Sequence, residues 1–441
     1  MATRKIVLVS MPFNIGVGGY RRSYFVLPFL SRELYSEGFE VELYIPANAI
    51  RTVLKFLMWE TCNRESTYVK KCIEDLLHKI HQTIHDLEKN SHYTLYINEK
   101  VLDAILSLNI RFLTMEQNNA KKCSISPYQL VIEKSREFLM PILEIIAWNR
   151  IRQYYNYSSI GELIVYSHHE TVDALTVTSL LSKYAKGIFL LMQLNIKDLI
   201  AKAILHNTKS KLLGVLAVSP QPIIESPFIT GIAKNIKILI PALALDPTLY
   251  TIDKSKIKKE PYSAIYFGRL SREKGLIDLL RVWSIISQNE PRARLTLIGM
   301  PESRDILTIM YRYLAKFKNV RYLGYLPPNK LYQEVAKHHV LIYPSYRDSF
   351  ALAVLEALAL GLKVMAYDIP AIRYMYSRSN MVHIVRKGSI SSLAKGTLQW
   401  FYIDVEPNTY TKALISLHSS WKDVSQEEAQ AILLFYNKMN L

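Results

Sequence analysis

Glycine and cysteine are both scarce in this chain: its 441 residues include 15 glycines and 3 cysteines. The cysteines, Cys62, Cys72 and Cys123, are odd in number and lack CxxC spacing. That pattern argues against a disulfide framework and a structural zinc site, and it suits a reducing compartment. No uninterrupted apolar run reaches the length of a transmembrane helix. The N-terminus, MATRKIVLVSMPFNIGVGG, passes from a few charges into a short strand and reaches Pro12 too soon for a signal-peptide core. A cytoplasmic protein is expected, soluble or held peripherally at the inner face of a membrane. Zinc-finger spacing and an RNP-like aromatic strand are both missing, so no nucleic-acid partner is expected.

What is present reads as globular, with 50% hydrophobic and 21% charged residues. The length exceeds the usual size of a single core, so two domains are expected. The net charge of +17 is spread over both halves. It belongs to folded surfaces, and phosphorylated ligands or an anionic membrane are suitable partners.

The first half opens as βαβ: the strand KIVLVS, a loop bearing Gly16, Gly18 and Gly19, a helix from about Arg22 to Glu37, and the strand VELYIP. From about 49 to 155 the pattern is helical and more charged, interrupted by the strand-like pieces YTLYI and IRFLTM. Strand and helix patterns then alternate again to residue 252. The charged stretch DKSKIKKEP, 253 to 261, reads as a linker. A second α/β series spans 262 to 423, its strands nearly continuous in apolar residues, as buried parallel strands are. A tail, 424 to 441, carries a helix over Gln426 to Met439 that is expected to pack back on the first domain. Two doubly wound domains with a helical insertion in the first place a ligand cleft at the carboxyl ends of the strands.

The stretch YPSYRDSFALAVLEALALG, Tyr343 to Gly361, places one carboxylate before an otherwise apolar helix and another inside it. A helix apolar on all faces is buried, so Glu356 needs a specific partner. Ser349 is a suitable N-cap, which puts Asp348 at the positive end of the helix dipole, where an anion can dock. Eight residues at roughly 1.5 Å rise separate the two carboxylates by about 12 Å, enough to serve opposite ends of an extended ligand such as a sugar nucleotide. The other reading is structural: Glu356 pairs with a buried Arg or Lys, and Asp348 supports the cap. A second signal, FGRLSREKG, sets Arg269 and Lys274 around a strand-to-helix turn, from which two cations can neutralise a diphosphate; Arg272 is a lesser candidate.

Taken together, GRLSREKG and PSYRDSFALAVLEALALG resemble the retaining GT-B glycosyltransferases of the family 4, or group 1, type. LTLIG and NVRYLGYLPPNKLYQEVAKHHVLIYPS, lying between them, resemble further elements of that family. The resemblance runs strongly from about Ala264 to Ile372 and weakly through the first half. It implies a GT-B fold of two Rossmann-like domains. It also implies that Arg269 and Lys274 bind the donor diphosphate, Glu356 the ribose hydroxyls and Asp348 the donor sugar. Backbone groups of Ser349, Phe350 and Ala351 would meet the phosphate, and those near Gly324 and Tyr325 the base. A nucleotide-diphosphate sugar is then the donor, and neither cofactor nor metal is expected.

The chain departs from the family pattern in several places. Asp348 is one methylene shorter than the usual Glu, Ala351 stands where Gly or Pro is usual, and LIGMPES lacks a GxG. IPALALDPTLY keeps only the Pro and Asp of a PNGxD turn. In the first domain IVYSHHETVDAL resembles the family strand that ends in a cleft-facing histidine; His169 is the first choice for a sugar contact, ahead of His168. Gly18 and Gly19 offer backbone approach to donor or acceptor, with Arg21 and Arg22 as candidate phosphate contacts. The insertion lies on the acceptor side, and its apolar stripes, with Trp148 beside Arg150 and Arg152, either face a membrane or lipid-linked acceptor or pack on the first domain.

The resulting expectation is a metal-independent hexosyltransferase that moves a sugar to a glycan, a lipid or a protein-linked glycan with retention. Two alternatives share the fold: a sugar-nucleotide epimerase and a non-catalytic nucleotide-sugar-binding partner.

Overall fold

The structure, a computed structural model, describes residues 4–13, 18–51, 69–120, 128–154 and 162–438. The chain divides into two units, Met1–Ala242 with Trp421–Leu441, and Leu243–Ser420.

The first unit is built on a parallel sheet of seven strands: β1 Arg4–Val9, β2 Phe39–Tyr44, β3 Leu95–Ile97, β4 Glu162–Ser167, β5 Gly187–Met192, β6 Leu212–Ala217 and β7 Ile236–Ile238. Their order is β3-β2-β1-β4-β5-β6-β7. The strands GIFLLM and LLGVLA are buried along their whole length, as expected of a parallel sheet covered on both faces. The order reverses direction between β1 and β4, so a crevice opens there at the carboxyl edge.

Several sequence expectations change here. The first helix starts at Gly18 and runs to Ser36, so Gly18 and Gly19 belong to its first turn and not to a loop. Gly16 lies outside the described residues. The region expected as a helical insertion contains the helices Val69–Asn90, Glu99–Ala120 and Tyr128–Ile151, and the strand-like piece YTLYI supplies β3 as expected, pairing with β2. IRFLTM is part of the helix Glu99–Ala120; a short apolar run cannot by itself be told from a buried strand.

The C-terminal helix, Trp421–Asn437, belongs to this first unit and starts five residues before the expected Gln426. Trp421 stacks on Phe25 at 5.2 Å, and Phe435 fills the space over Gly214, where a Cβ would lie 2.2 Å from its ring. Glu428, fully buried, pairs with Arg22 and accepts from the Tyr166 hydroxyl at 2.6 Å.

The second unit holds six parallel strands: β8 Ser263–Phe267, β9 Arg294–Ile298, β10 Val320–Tyr322, β11 Val340–Tyr343, β12 Lys363–Tyr367 and β13 Val382–Val385. The order β10-β9-β8-β11-β12-β13 places the switch point between β8 and β11. Residues 253–261 are fastened to this unit and do not form a free linker. Lys254 Nζ donates to Ala359 O at 2.6 Å, and Lys259 Nζ to His338 O at 2.8 Å. Burial, with Lys363 and Lys254 nearby, lowers the Lys259 pKa to about 8.

Candidate active site

Four loops meet at the carboxyl edge of the second sheet, and close backbone packing fixes three of them. Gly299 has φ +133, and a Cβ there would lie 1.8 Å from Gly268 O. Its N–H donates to Gly324 O at 2.8 Å. The loops after β8, β9 and β10 are thereby joined, although the GxG pattern is missing. Gly275, at φ +77, does the same across the switch point, since a Cβ would lie 1.9 Å from Pro344 O.

Lys274 and Asp348 lie on the two sides of this crossing. Lys274 Nζ donates to Asp348 Oδ2 at 2.6 Å and to Arg347 O at 3.0 Å. Tyr343 also donates its hydroxyl to Asp348 Oδ2, while Oδ1 accepts the amides of Phe350 at 3.2 Å and Ala351 at 2.9 Å. Burial alone would raise the pKa of this carboxyl. The Lys274 ammonium, the Tyr343 hydroxyl and the Ala351 amide outweigh burial and hold it at about 2. A carboxylate has about four acceptor positions. All four are taken.

This arrangement corrects the expected cap. The helix is Leu352–Ala359, and its N-cap is Ala351, not Ser349. Asp348 reaches forward to the amides of Phe350 and Ala351, just before the helix, and the turn that permits this puts Ala351 at φ 58, ψ 52. That is left-handed backbone, where a side chain costs about 1–2 kcal/mol. The amides of Phe350 and Ala351, expected to meet a phosphate, are given to Asp348. The Phe350 ring packs edge-on to His418, and the carbonyls of Phe350 and Ala351 accept from the Tyr376 hydroxyl.

Glu356 is buried within this helix and accepts from the Tyr332 hydroxyl at 2.6 Å. Its partner on this side is a neutral phenol on the helix Pro328–Val335, beyond the loop that carries Gly324 and Tyr325. Gly324 has φ +70 and open space around its Cβ position, and Tyr325 is half-buried. Arg269 is half-exposed and 3.4 Å from Glu302, and its carbonyl accepts from Tyr266. Arg272 is exposed and 3.4 Å from Asp305. Such surface pairs contribute about 0–1 kcal/mol and leave both arginines able to turn toward a ligand.

In the first unit the carboxyl end of β4 carries two buried histidines. His169 Nε2 lies 3.2 Å from Ser23 Oγ, and its ring meets Tyr20 edge-on, so it faces the first turn of the helix that begins at Gly18. Burial, then the His168 and Arg22 charges, lowers its pKa to about 3. His168 Nε2 is 3.2 Å from Glu428 Oε1, at an angle unsuited to a hydrogen bond, and burial lowers its pKa to about 4 despite that carboxylate. Both rings are neutral at pH 7. Glu170 accepts the amides of Gln193 and Leu194, and burial lifts its pKa to about 7.

Arg22, expected as a phosphate contact, is fully buried, ion-paired with Glu428 and bonded to Ala242 O at 2.9 Å. It holds the C-terminal helix in place. Arg21, its neighbour, is half-buried. Trp148 is buried near Tyr44, so it packs within the first unit, whereas Ile142, Ile145 and Ile146 on the same helix are exposed, as are Arg150 and Arg152. No helix among the described residues is long and apolar enough to cross a membrane. Among the described residues no cluster of three or more His, Cys, Asp or Glu could hold a metal ion.

Tyr332, Tyr343 and Tyr346 were missed from sequence. The only signal is abundance, 29 tyrosines in the chain, and abundance gives no positions.

Residues 251–411 match the family described as glycosyl transferases group 1. An uncharacterized glycosyltransferase of Haemophilus influenzae is 24% identical over 147 residues, 33% of this chain and 41% of that protein. The O-antigen chain mannosyltransferase B of Escherichia coli is 27% identical over 124 residues, 27% of this chain and 32% of that protein. The matched region thus spans less than half the length of these relatives. Among solved structures, Anabaena Alr3699/HepE in complex with UDP and glucose has a TM-score of 0.58 at 12% identity, covering 97% of this chain and 99% of that one. Sucrose-phosphate synthase from Thermosynechococcus elongatus has a TM-score of 0.58 at 13% identity, covering 99% and 100%. These likenesses show the GT-B fold.

Proposed function

We propose, from the premise that residues 251–411 belong to the glycosyl transferases group 1 family, that the chain transfers a hexose from a nucleoside-diphosphate sugar to a hydroxyl acceptor. The observation that carries this reading is the Lys274–Asp348 pair at the switch point, at the head of a helix that holds Glu356. The HepE structure, solved with UDP and glucose, supports a nucleotide-sugar donor.

In this reading Lys274 has one of its three N–H donors left for the diphosphate, after Asp348 and Arg347 O take the others. Arg269 swings from its surface pair to the same group, and the positive end of the helix Leu352–Ala359 adds to the field. Charge on the departing nucleoside diphosphate is met without a divalent metal, and the acceptor hydroxyl attacks from the same face, with retention. Glu356 takes the ribose hydroxyls, and Gly324 and Tyr325 lie toward the base. Gly18, Gly19 and His169 belong to the sugar and acceptor side. Asp348 has its four acceptor positions filled, so we assign it to positioning Lys274 and the helix head; a direct sugar contact would require it to release a donor.

The test is a screen of UDP-, GDP- and ADP-sugars for nucleoside-diphosphate release, with and without glycan and lipid acceptors. Acceptor-dependent release supports the transferase. Sugar-nucleotide conversion with no acceptor present marks an epimerase, and binding without release marks a non-catalytic protein.

A further inference from the structure

Tyr346 spans the two loops that carry Lys274 and Asp348. It stands two residues before Asp348, and its backbone N–H donates to Glu273 O at 2.9 Å, next to Lys274. Its hydroxyl donates to Asp278 Oδ2, in the first turn of the helix Leu276–Asn289 that follows the Lys274 loop. The same oxygen accepts the Tyr367 hydroxyl at 2.9 Å, from the end of β12, and the two rings meet edge-on at 5.6 Å. Asp278 is 7% exposed, so its carboxylate needs these donors.

We infer that Tyr346, Asp278 and Tyr367 form a clamp that sets the distance between Lys274 and Asp348 and so positions the cation for the donor diphosphate. This rests on the reading of the site as a nucleotide-sugar site. The clamp touches no donor atom; its residues are positioning residues. Tyr346 is 40% exposed, so its hydroxyl is not needed to fill a core, and what it ties together are the two loops of the site. The Tyr402 hydroxyl, which donates to Glu290 just before β9 at the opposite edge of the sheet, provides a matched control.

The experiment is isothermal titration of the full chain with UDP, GDP and ADP, alongside thermal unfolding, for wild type, Y346F, D278A, D278N, K274A and Y402F. The clamp predicts that Y346F and D278A weaken the best-bound nucleotide about tenfold, the scale of one hydrogen bond to a charged group. D278N, which keeps an acceptor for the two hydroxyls, recovers part of the loss. Y402F, which takes an equivalent hydroxyl away from the buried Glu290, binds like wild type, while Y346F and Y402F lower the unfolding temperature by similar amounts. If D278A fails to fold, Y346F and D278N carry the test. Wild-type affinity in Y346F overturns the clamp alone. A wild type that binds none of the three nucleotides overturns the functional reading, and the clamp with it.

Discussion

Lys274 Nζ lies 2.6 Å from Asp348 Oδ2, and that contact joins two stretches 74 residues apart in sequence at the crossing of β8 and β11. The same carboxylate holds the turn that leads into the helix with Glu356.

Removing Asp348 should therefore cost stability as well as function. D348A leaves the amides of Phe350 and Ala351, just before the helix, without their acceptor and a half-buried ammonium without its carboxylate, a loss of about 2 kcal/mol. Urea unfolding reads it. D348E, one methylene longer, should recover the ion pair but not the bonds to the two amides, and so fall between.

Ala351 carries a left-handed backbone that glycine adopts freely. A351G should stabilise the chain by about 0.5–1 kcal/mol, the relief of strain less the added unfolded-state entropy. An unchanged or lower urea midpoint would show that packing of the buried methyl outweighs the strain.

The ion pair of Arg22 with Glu428 lies wholly inside the first unit. E428A strands a buried guanidinium and should cost about 3–5 kcal/mol, whereas the double replacement R22M/E428L should recover most of it. A double variant no more stable than E428A would contradict this account of the C-terminal helix.

Much of the second unit was legible in sequence because buried parallel strands are continuous in apolar residues, as in SAIYF and VLIY. The order of the motifs also placed Lys274, Asp348 and Glu356 at one edge of a sheet. What sequence could not show was which donors each carboxylate takes. Asp348 looked like a ligand contact beside a Ser349 cap, but its side chain fastens the turn that leads into the helix, a geometry that depends on the unusual backbone of Ala351. Arg22 looked like a phosphate contact because its partner is 406 residues away, on the C-terminal helix, and nothing local encodes that pairing. DKSKIKKEP read as a linker because its charges are plain, whereas the carbonyls that receive its lysines lie in distant turns.

Titration of the β4 end follows from the signs of its shifts. His168 and His169 fall from an ordinary value of 6.5 to about 4 and about 3, so the unfolded chain binds more protons than the folded one below pH 6.5. Their effect is to lower stability as pH falls from about 6.5 toward 4. Glu170 works oppositely, since its pKa is raised from 4.5 to about 7, and its contribution is lost as pH rises through that range. The groups facing the two histidines are Tyr20, Ser23, Gln193, Tyr166, Arg22 and Glu428. H169Q should flatten the loss of thermal stability between pH 6.5 and pH 4. A slope equal to that of wild type would contradict the assignment.

The most direct test of the donor site is a crystal structure of the chain with the sugar nucleotide that the release screen selects. The account predicts ribose hydroxyls on Glu356 and a diphosphate held by Lys274 and Arg269 at the head of the helix Leu352–Ala359. Asp348 should still be bonded to Lys274. A nucleotide bound elsewhere, or a diphosphate that touches neither Lys274 nor Arg269, would contradict it.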